Sequence, residues 1–161
     1  MPILPGLVLG FLACGDPVAE AMAEYHAQMA PLMDENTALA TRYLVLAKAV
    51  HKDRTPPDEV AKQISAEVVP AADALKDAIA AVRPTDPDLA TVHRQAVAGW
   101  TRQAEAYRAM MAAYEQDDLA AFTRALGELA EAKVAIDAWV KEANRRLEPY
   151  GHHVDEFPQP R

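Results

Sequence analysis

Cysteine is almost absent from this chain, since Cys14 is the only one in its 161 residues. A single thiol cannot close a disulfide within the chain, which excludes a small secreted fold held together by disulfides. The sequence also has no glycine-rich phosphate loop and no Gly-x-Ser-x-Gly nucleophile motif. Stability must therefore come from a hydrophobic core, and we expect that the protein is not an enzyme.

Basic residues are outnumbered by acidic ones, with 16 Lys and Arg against 24 Asp and Glu and a formal net charge of −8. Phosphate backbones are bound by clustered Lys and Arg, so this balance argues against nucleic acid as a partner. It argues equally against electrostatic attraction to anionic lipid headgroups.

Charge is missing altogether from residues 1–13, MPILPGLVLGFLA, which end at the small residue Ala13 just before Cys14. The run is shorter than the ~20 residues that a membrane-spanning helix needs, and Pro5 and Gly10 interrupt it. An apolar segment of this length that ends in a small residue is typical of a secretory signal. Followed directly by cysteine, it resembles the type II signal peptide of a bacterial lipoprotein.

The resemblance implies that residues 1–13 are removed and that Cys14 becomes the first residue of the mature protein. Cys14 would then carry several acyl chains, palmitate among them, and anchor the protein in a membrane of the bacterial cell envelope. The mature chain would face the periplasm or the outer surface. Its partners would be the membrane, through the lipid, and another envelope protein. The alternative is an apolar N-terminal strand or helix packed on the core, with Cys14 as a buried thiol.

Helix-start signals recur along the rest of the chain. Each combines a side-chain oxygen at the N-cap with acidic or proline residues in the first turn. These signals are Asp16-Pro17, Thr55-Pro56-Pro57-Asp58-Glu59, Asp86-Pro87-Asp88 and Asp117-Asp118. With a stop at Pro149-Tyr150-Gly151, they predict helices at about 17–51, 56–83, 87–115 and 118–148.

Apolar residues follow heptad-like spacing in all four predicted helices. In the second the stripe is Ala61, Ile64, Val68, Ala71, Leu75, Ala78 and Val82; in the fourth it is Leu119, Phe122, Leu126, Leu129, Lys133, Ile136, Val140, Ala143 and Leu147. The expected fold is all-α, an antiparallel up-down-up-down four-helix bundle. It comprises residues 14–151, after the signal peptide 1–13 and before a flexible C-terminal tail 152–161.

Polar residues interrupt three of these stripes near their midpoints, namely Asn36, Gln103 and Lys133. Pro70 lies near the middle of the second helix, where it predicts a kink and a freed backbone carbonyl. We expect a core polar layer at this level, with one of the three side chains donating to that carbonyl. The layer would fix the pairing of the helices, or hold a small ligand or ion; Lys133 has the further option of simple exposure to solvent.

Methionine and histidine residues predict a possible metal or haem site. In an antiparallel bundle, Met22, His26, His93, His152 and His153 would converge at one end. Thioether and imidazole ligands suit copper, and a Met–His pair across a bundle resembles the haem ligation of a b-type four-helix cytochrome. Met is also a common core filler, and tail histidines are often solvated, so the leading expectation is that no cofactor is bound.

Two functions from different classes follow. The first is a lipid-anchored envelope protein with a non-enzymatic binding or structural role, whose mark would be an exposed apolar patch around residues such as Trp100 or Trp139. The alternative is a periplasmic metal- or haem-binding bundle that uses the Met and His ligands. A third alternative is a structural protein that acts only as a spacer at the membrane.

Overall fold

The computed structural model describes residues 16–52 and 55–154, and within these ranges the protein is all-α with no strand. The helices are α1 (Pro17–Lys52), α2 (Pro57–Gln63), α3 (Val69–Ala81), α4 (Pro87–Glu115) and α5 (Leu119–Leu147). A π-helical segment, Ile64–Val68, joins α2 to α3 without a break, and a 3₁₀ turn, Glu148–Tyr150, follows α5. In this part of the chain no helix combines the length and the hydropathy that crossing a membrane requires.

Most of the predicted helix starts are confirmed at the level of individual hydrogen bonds. The Asp86 carboxylate accepts from the Leu89 amide at 2.8 Å, and the Asp118 carboxylate accepts from the Ala121 amide at 2.8 Å. Each bond gives a partner to an amide that no carbonyl of its own helix can reach. The second start differs, because Pro56 occupies the N-cap position of α2 and no side chain caps it.

The expected donation from Asn36, Gln103 or Lys133 to a carbonyl freed by Pro70 is not found among the described residues. The chain instead forms the π segment just before Pro70, in which the Val69 amide donates to the Ile64 carbonyl five residues earlier. Proline lacks an N–H and its ring would collide with the carbonyl four residues earlier in a regular α-helix. The wider π turn relieves that conflict while keeping the helix continuous.

The π segment also changes which residues face the core. A π turn holds more residues than an α turn, so Val60, Ile64, Val68 and Ala72 stay on one face although they are spaced by four. The predicted stripe is therefore wrong at Ala71, which is exposed, while the neighbouring Ala72 is buried.

A single cluster of buried side chains forms the core, and all five helices contribute to it. α5 packs most extensively on α4, where small residues such as Ala96, Gly99 and Ala132 are buried. A Cβ built on Gly99 would lie 3.0 Å from Ile136 Cγ1, so the two helices approach closely at this point. Trp100 and Trp139 meet edge to face in the core with ring centroids 5.1 Å apart.

Candidate interaction face and histidine network

A buried hydrogen-bond network joins three helices around His93. The Tyr25 hydroxyl of α1 lies 3.1 Å from Nδ1 of His93 in α4, and His93 Nε2 lies 3.0 Å from the Ile79 carbonyl of α3. A carbonyl oxygen can only accept, so Nε2 carries the proton and Nδ1 accepts from the Tyr25 hydroxyl. Both rings are almost completely buried. The imidazole is therefore held in one neutral tautomer by two partners.

Burial sets the acid–base properties of this network. Desolvation lowers the pKa of His93 below its usual 6.5, outweighing the hydrogen bond to Ile79, and the Arg83 charge lowers it further. Burial also raises the pKa of Tyr25, which the nearby Trp139 indole N–H offsets only in part. The Trp139 indole N–H faces the Tyr25 hydroxyl without reaching full hydrogen-bond geometry. Tyr25 and His93 are thus both uncharged around neutral pH.

The structure places the predicted ligands Met22, His26, His93, His152 and His153 in different surroundings. His93 has no free nitrogen for a metal, because both ring nitrogens are occupied within the core. Met22 is buried as a core side chain and His153 is exposed. In the described part of the chain, no three His, Cys, Asp or Glu side chains are grouped so that they could hold a metal ion.

His26 and His152 are the two predicted ligands that the structure does bring together. Their rings stack with centroids 4.9 Å apart and an interplanar angle of 23°. Two residues further on, the Val154 amide donates to the Asn144 side-chain oxygen at 2.7 Å, and Val154 is buried. Residues 152–154, expected as the start of a flexible tail, are therefore packed against α1 and α5, while residues 155–161 lie outside the described ranges.

The predicted polar layer is only partly present. Asn36 accepts a hydrogen bond from the Trp100 indole N–H at 3.0 Å, and Gln103 is buried with its side-chain oxygen unpartnered. Lys133 is different: its side chain is 73% exposed and pairs with Asp137 one turn along α5. The expected position of Lys133 in the core is thus corrected to the surface, because α5 turns its Ala125, Ala132 and Ala143 side towards α4.

An exposed apolar patch exists, but not where the tryptophans suggested it. Trp100 and Trp139 are fully buried. Exposed large apolar side chains lie instead on α1, where Leu44 is 51% and Val45 54% exposed, and along α5, where Leu119 is 76%, Leu126 38% and Val134 68% exposed. We use "outer face of α5" for the exposed residues at helical spacing that include the three on α5: Leu119, Thr123, Leu126, Ala130, Val134, Asp137 and Lys141. Sequence reasoning assigned Leu119 and Leu126 to the core stripe and so missed this surface.

An open cleft of ≈ 650 Å³ lies beside Tyr114, between α4 and the π segment. Its wall includes Asp58, Ser65 and Met111, and the Tyr114 hydroxyl donates to Asp58 Oδ1 at 2.6 Å. That hydrogen bond raises the pKa of Tyr114 above its usual value. The hydrogen bond links α2 to α4 at the cleft, whose wall carries carboxylate and hydroxyl groups.

Comparison of the chain with protein-family models, with curated proteins and with solved structures finds no match. Function therefore has to be argued from the residues themselves. Cys14 and the signal-like residues 1–13 lie outside the described ranges.

Proposed function

We propose that this protein is a lipid-anchored component of the bacterial cell envelope that acts by binding another macromolecule and catalyses no reaction. The observation that carries the binding role is the outer face of α5, where Leu119, Leu126 and Val134 are exposed on one side of the helix. Several exposed apolar side chains on one face are typical of surfaces that another molecule covers. The sequence context of Cys14 supports the lipid anchor.

We further propose that the helices run up-down-up-down, each antiparallel to the next. The pairs Arg146–Asp88 and Arg102–Glu131 join the end of α5 to the start of α4 and the middle of one to the middle of the other. Tyr114–Asp58 and His93–Ile79 give the same order between α4 and residues 57–81. The stack of His26 on His152 supports an arrangement in which the end of α5 lies near the start of α1.

The anchor is tested by the intact mass of the native protein extracted from membranes. We expect a chain that lacks residues 1–13 and carries a diacylglyceryl group on Cys14. A Cys14→Ser variant made in parallel should keep residues 1–13 and lack the diacylglyceryl mass. An unmodified full-length mass for the native chain would overturn the anchor and return Cys14 to the role of an ordinary thiol.

The binding role is tested separately on the outer face. A Val134→Asp variant should fold normally, because its side chain is 68% exposed, but should lose the capacity to form a complex. Loss of complex formation with unchanged circular dichroism supports the proposal. A variant that forms the same complexes as the native chain would contradict it.

A further inference from the structure

The outer face of α5 has the features of a self-complementary surface. We propose that two copies of this chain pair through it, with their α5 helices antiparallel and the two-fold axis near Ala130. The inference deepens the proposed binding role, because it names the partner at that face as a second copy. It does not depend on lipid attachment at Cys14.

The apolar residues support this register. Leu126 and Val134 lie four residues on either side of Ala130, so a two-fold axis at Ala130 places each Leu126 opposite Val134 of the second copy. Both side chains are exposed in the single chain. Their burial against each other would remove the central part of the patch from water. An isologous contact of this kind uses the same residues on both copies and closes at a dimer.

Charge supports the antiparallel direction. The turn before α5 carries exposed Asp117 and Asp118, whereas its last turns carry three basic residues, Lys141, Arg145 and Arg146, against the single acidic Glu142, with which both arginines pair. With the axis at Ala130, the acidic end of one helix lies beside the basic end of the other, and Arg124 lies near Asp137 of the second copy. A parallel pair would instead bring like charges together at both ends, which disfavours that arrangement.

Gly127 leaves open space on the outside of α5. A Cβ built on Gly127 would meet no atom within 4 Å, so nothing in the single chain requires a glycine at this position. Glycine inside a helix is a poorer helix former than alanine. Gly127 lies three residues from the proposed axis, next to Leu126. A missing side chain there lets a second helix come close.

The length of the contact sets its expected strength. α5 has 29 residues and is therefore ~43 Å long at 1.5 Å per residue. One helix pair of this length is at the small end of stable interfaces. We therefore expect an equilibrium between monomer and dimer that depends on concentration.

Sedimentation equilibrium of the full chain carrying Cys14→Ser, over a range of concentrations, tests the dimer. The substitution prevents lipidation and thiol cross-linking. We expect reversible dimerisation that Val134→Asp weakens at least ~10-fold. Ala98→Asp places the same charge at an exposed position of α4 and should leave the dissociation constant unchanged. A strictly monomeric chain, or equal effects of the two variants, overturns the proposal while the mass measurement on Cys14 is unaffected.

Disulfide trapping tests the direction of the pair. In the Cys14→Ser background, Leu126→Cys and Val134→Cys variants are oxidised separately and as a mixture. Antiparallel pairing predicts that cross-linked dimers form mainly in the mixture and contain one chain of each kind. Cross-links that form equally well within each variant alone would show a parallel or nonspecific contact and overturn the register. Circular dichroism before oxidation checks that both variants remain folded.

Discussion

The Tyr25 hydroxyl donates to His93 Nδ1 across 3.1 Å in the core, while the opposite ring nitrogen of His93 donates to the Ile79 carbonyl. Residues separated by 68 positions in the sequence are thereby fixed to one another in a single geometry. The pair forms a buried hydrogen bond inside an otherwise apolar cluster. Loss of this hydrogen bond should lower the stability of the whole fold, because the network around His93 connects α1, α3 and α4.

Tyr25→Phe removes the hydroxyl and leaves His93 Nδ1 buried without a donor. A buried polar atom deprived of its partner costs about 1–3 kcal/mol, and we expect the free energy of unfolding to fall by that amount. Urea denaturation followed by circular dichroism measures it. Tyr150→Phe, at an exposed tyrosine, provides the matched control and should change stability by less than ~0.5 kcal/mol. Equal effects of the two substitutions would show that the hydrogen bond contributes little.

Protonation of His93 should make stability depend on pH. The folded-state pKa is lowered, so below the usual value of 6.5 the unfolded chain binds a proton at His93 that the folded chain binds only at lower pH. The free energy of unfolding should therefore decrease as the pH falls from 6.5 towards the folded-state pKa. His93→Gln should reduce this slope, while His153→Gln, at an exposed histidine, should preserve it. An undiminished slope in His93→Gln would assign the pH dependence to other groups.

Two glycines inside helices should respond in opposite directions to the same change. In Gly99→Ala the new Cβ would lie 3.0 Å from Ile136 Cγ1, so the buried Ile136 side chain has to shift by a few tenths of an ångström, and we expect a loss of ~1–3 kcal/mol. In Gly127→Ala the new Cβ meets no neighbour within 4 Å, and we expect a gain of up to ~1 kcal/mol. Thermal unfolding at concentrations where the chain is monomeric compares them directly. Destabilisation by Gly127→Ala under those conditions would contradict the open surface around this residue.

We expect that the π segment is present because Pro70 follows it. Deleting Ala66 removes one residue from the segment and forces a regular α-helix, in which the proline ring meets the carbonyl four residues earlier. The expected cost is ~3 kcal/mol or more. Adding Pro70→Ala to the deletion should recover most of this loss. If the double variant is no more stable than the deletion alone, the π turn is retained for packing rather than for the proline.

Local signals predicted the helices well because each start is coded by a few neighbouring residues. Asp86 and Asp118 form the caps that their positions indicated. The faces of the helices were harder to predict. A π turn changed the register around Pro70, and α5 buried Ala125, Ala132 and Ala143 while leaving Leu119 exposed. Both outcomes depend on which helix lies alongside, and periodicity within one helix contains no such information.

The candidate site was harder to predict from the sequence than the helices were. Histidine is a common metal ligand, and the sequence does not show whether its ring nitrogens are free. Only the structure shows that both nitrogens of His93 are occupied, by Tyr25 and by the Ile79 carbonyl. Trp100 and Trp139 pack against each other in the core, although large aromatic residues are equally common on binding surfaces. A signal that the sequence analysis did not use is Gly127, a glycine inside a helix whose missing side chain would meet no neighbour in the chain.

The start of α1 at Pro17 has a consequence for how the protein would stand on a membrane. Three peptide units separate Cys14 from Pro17, and even fully extended they span no more than ~11 Å. A lipid on Cys14 would leave almost no slack, so the first turn of α1 would sit at the level of the headgroups. The two-fold axis of an antiparallel pair would turn the α1 helices in opposite directions. Both lipids could enter one bilayer only if the pair lay flat on its surface; standing upright, the same pair would bridge two bilayers.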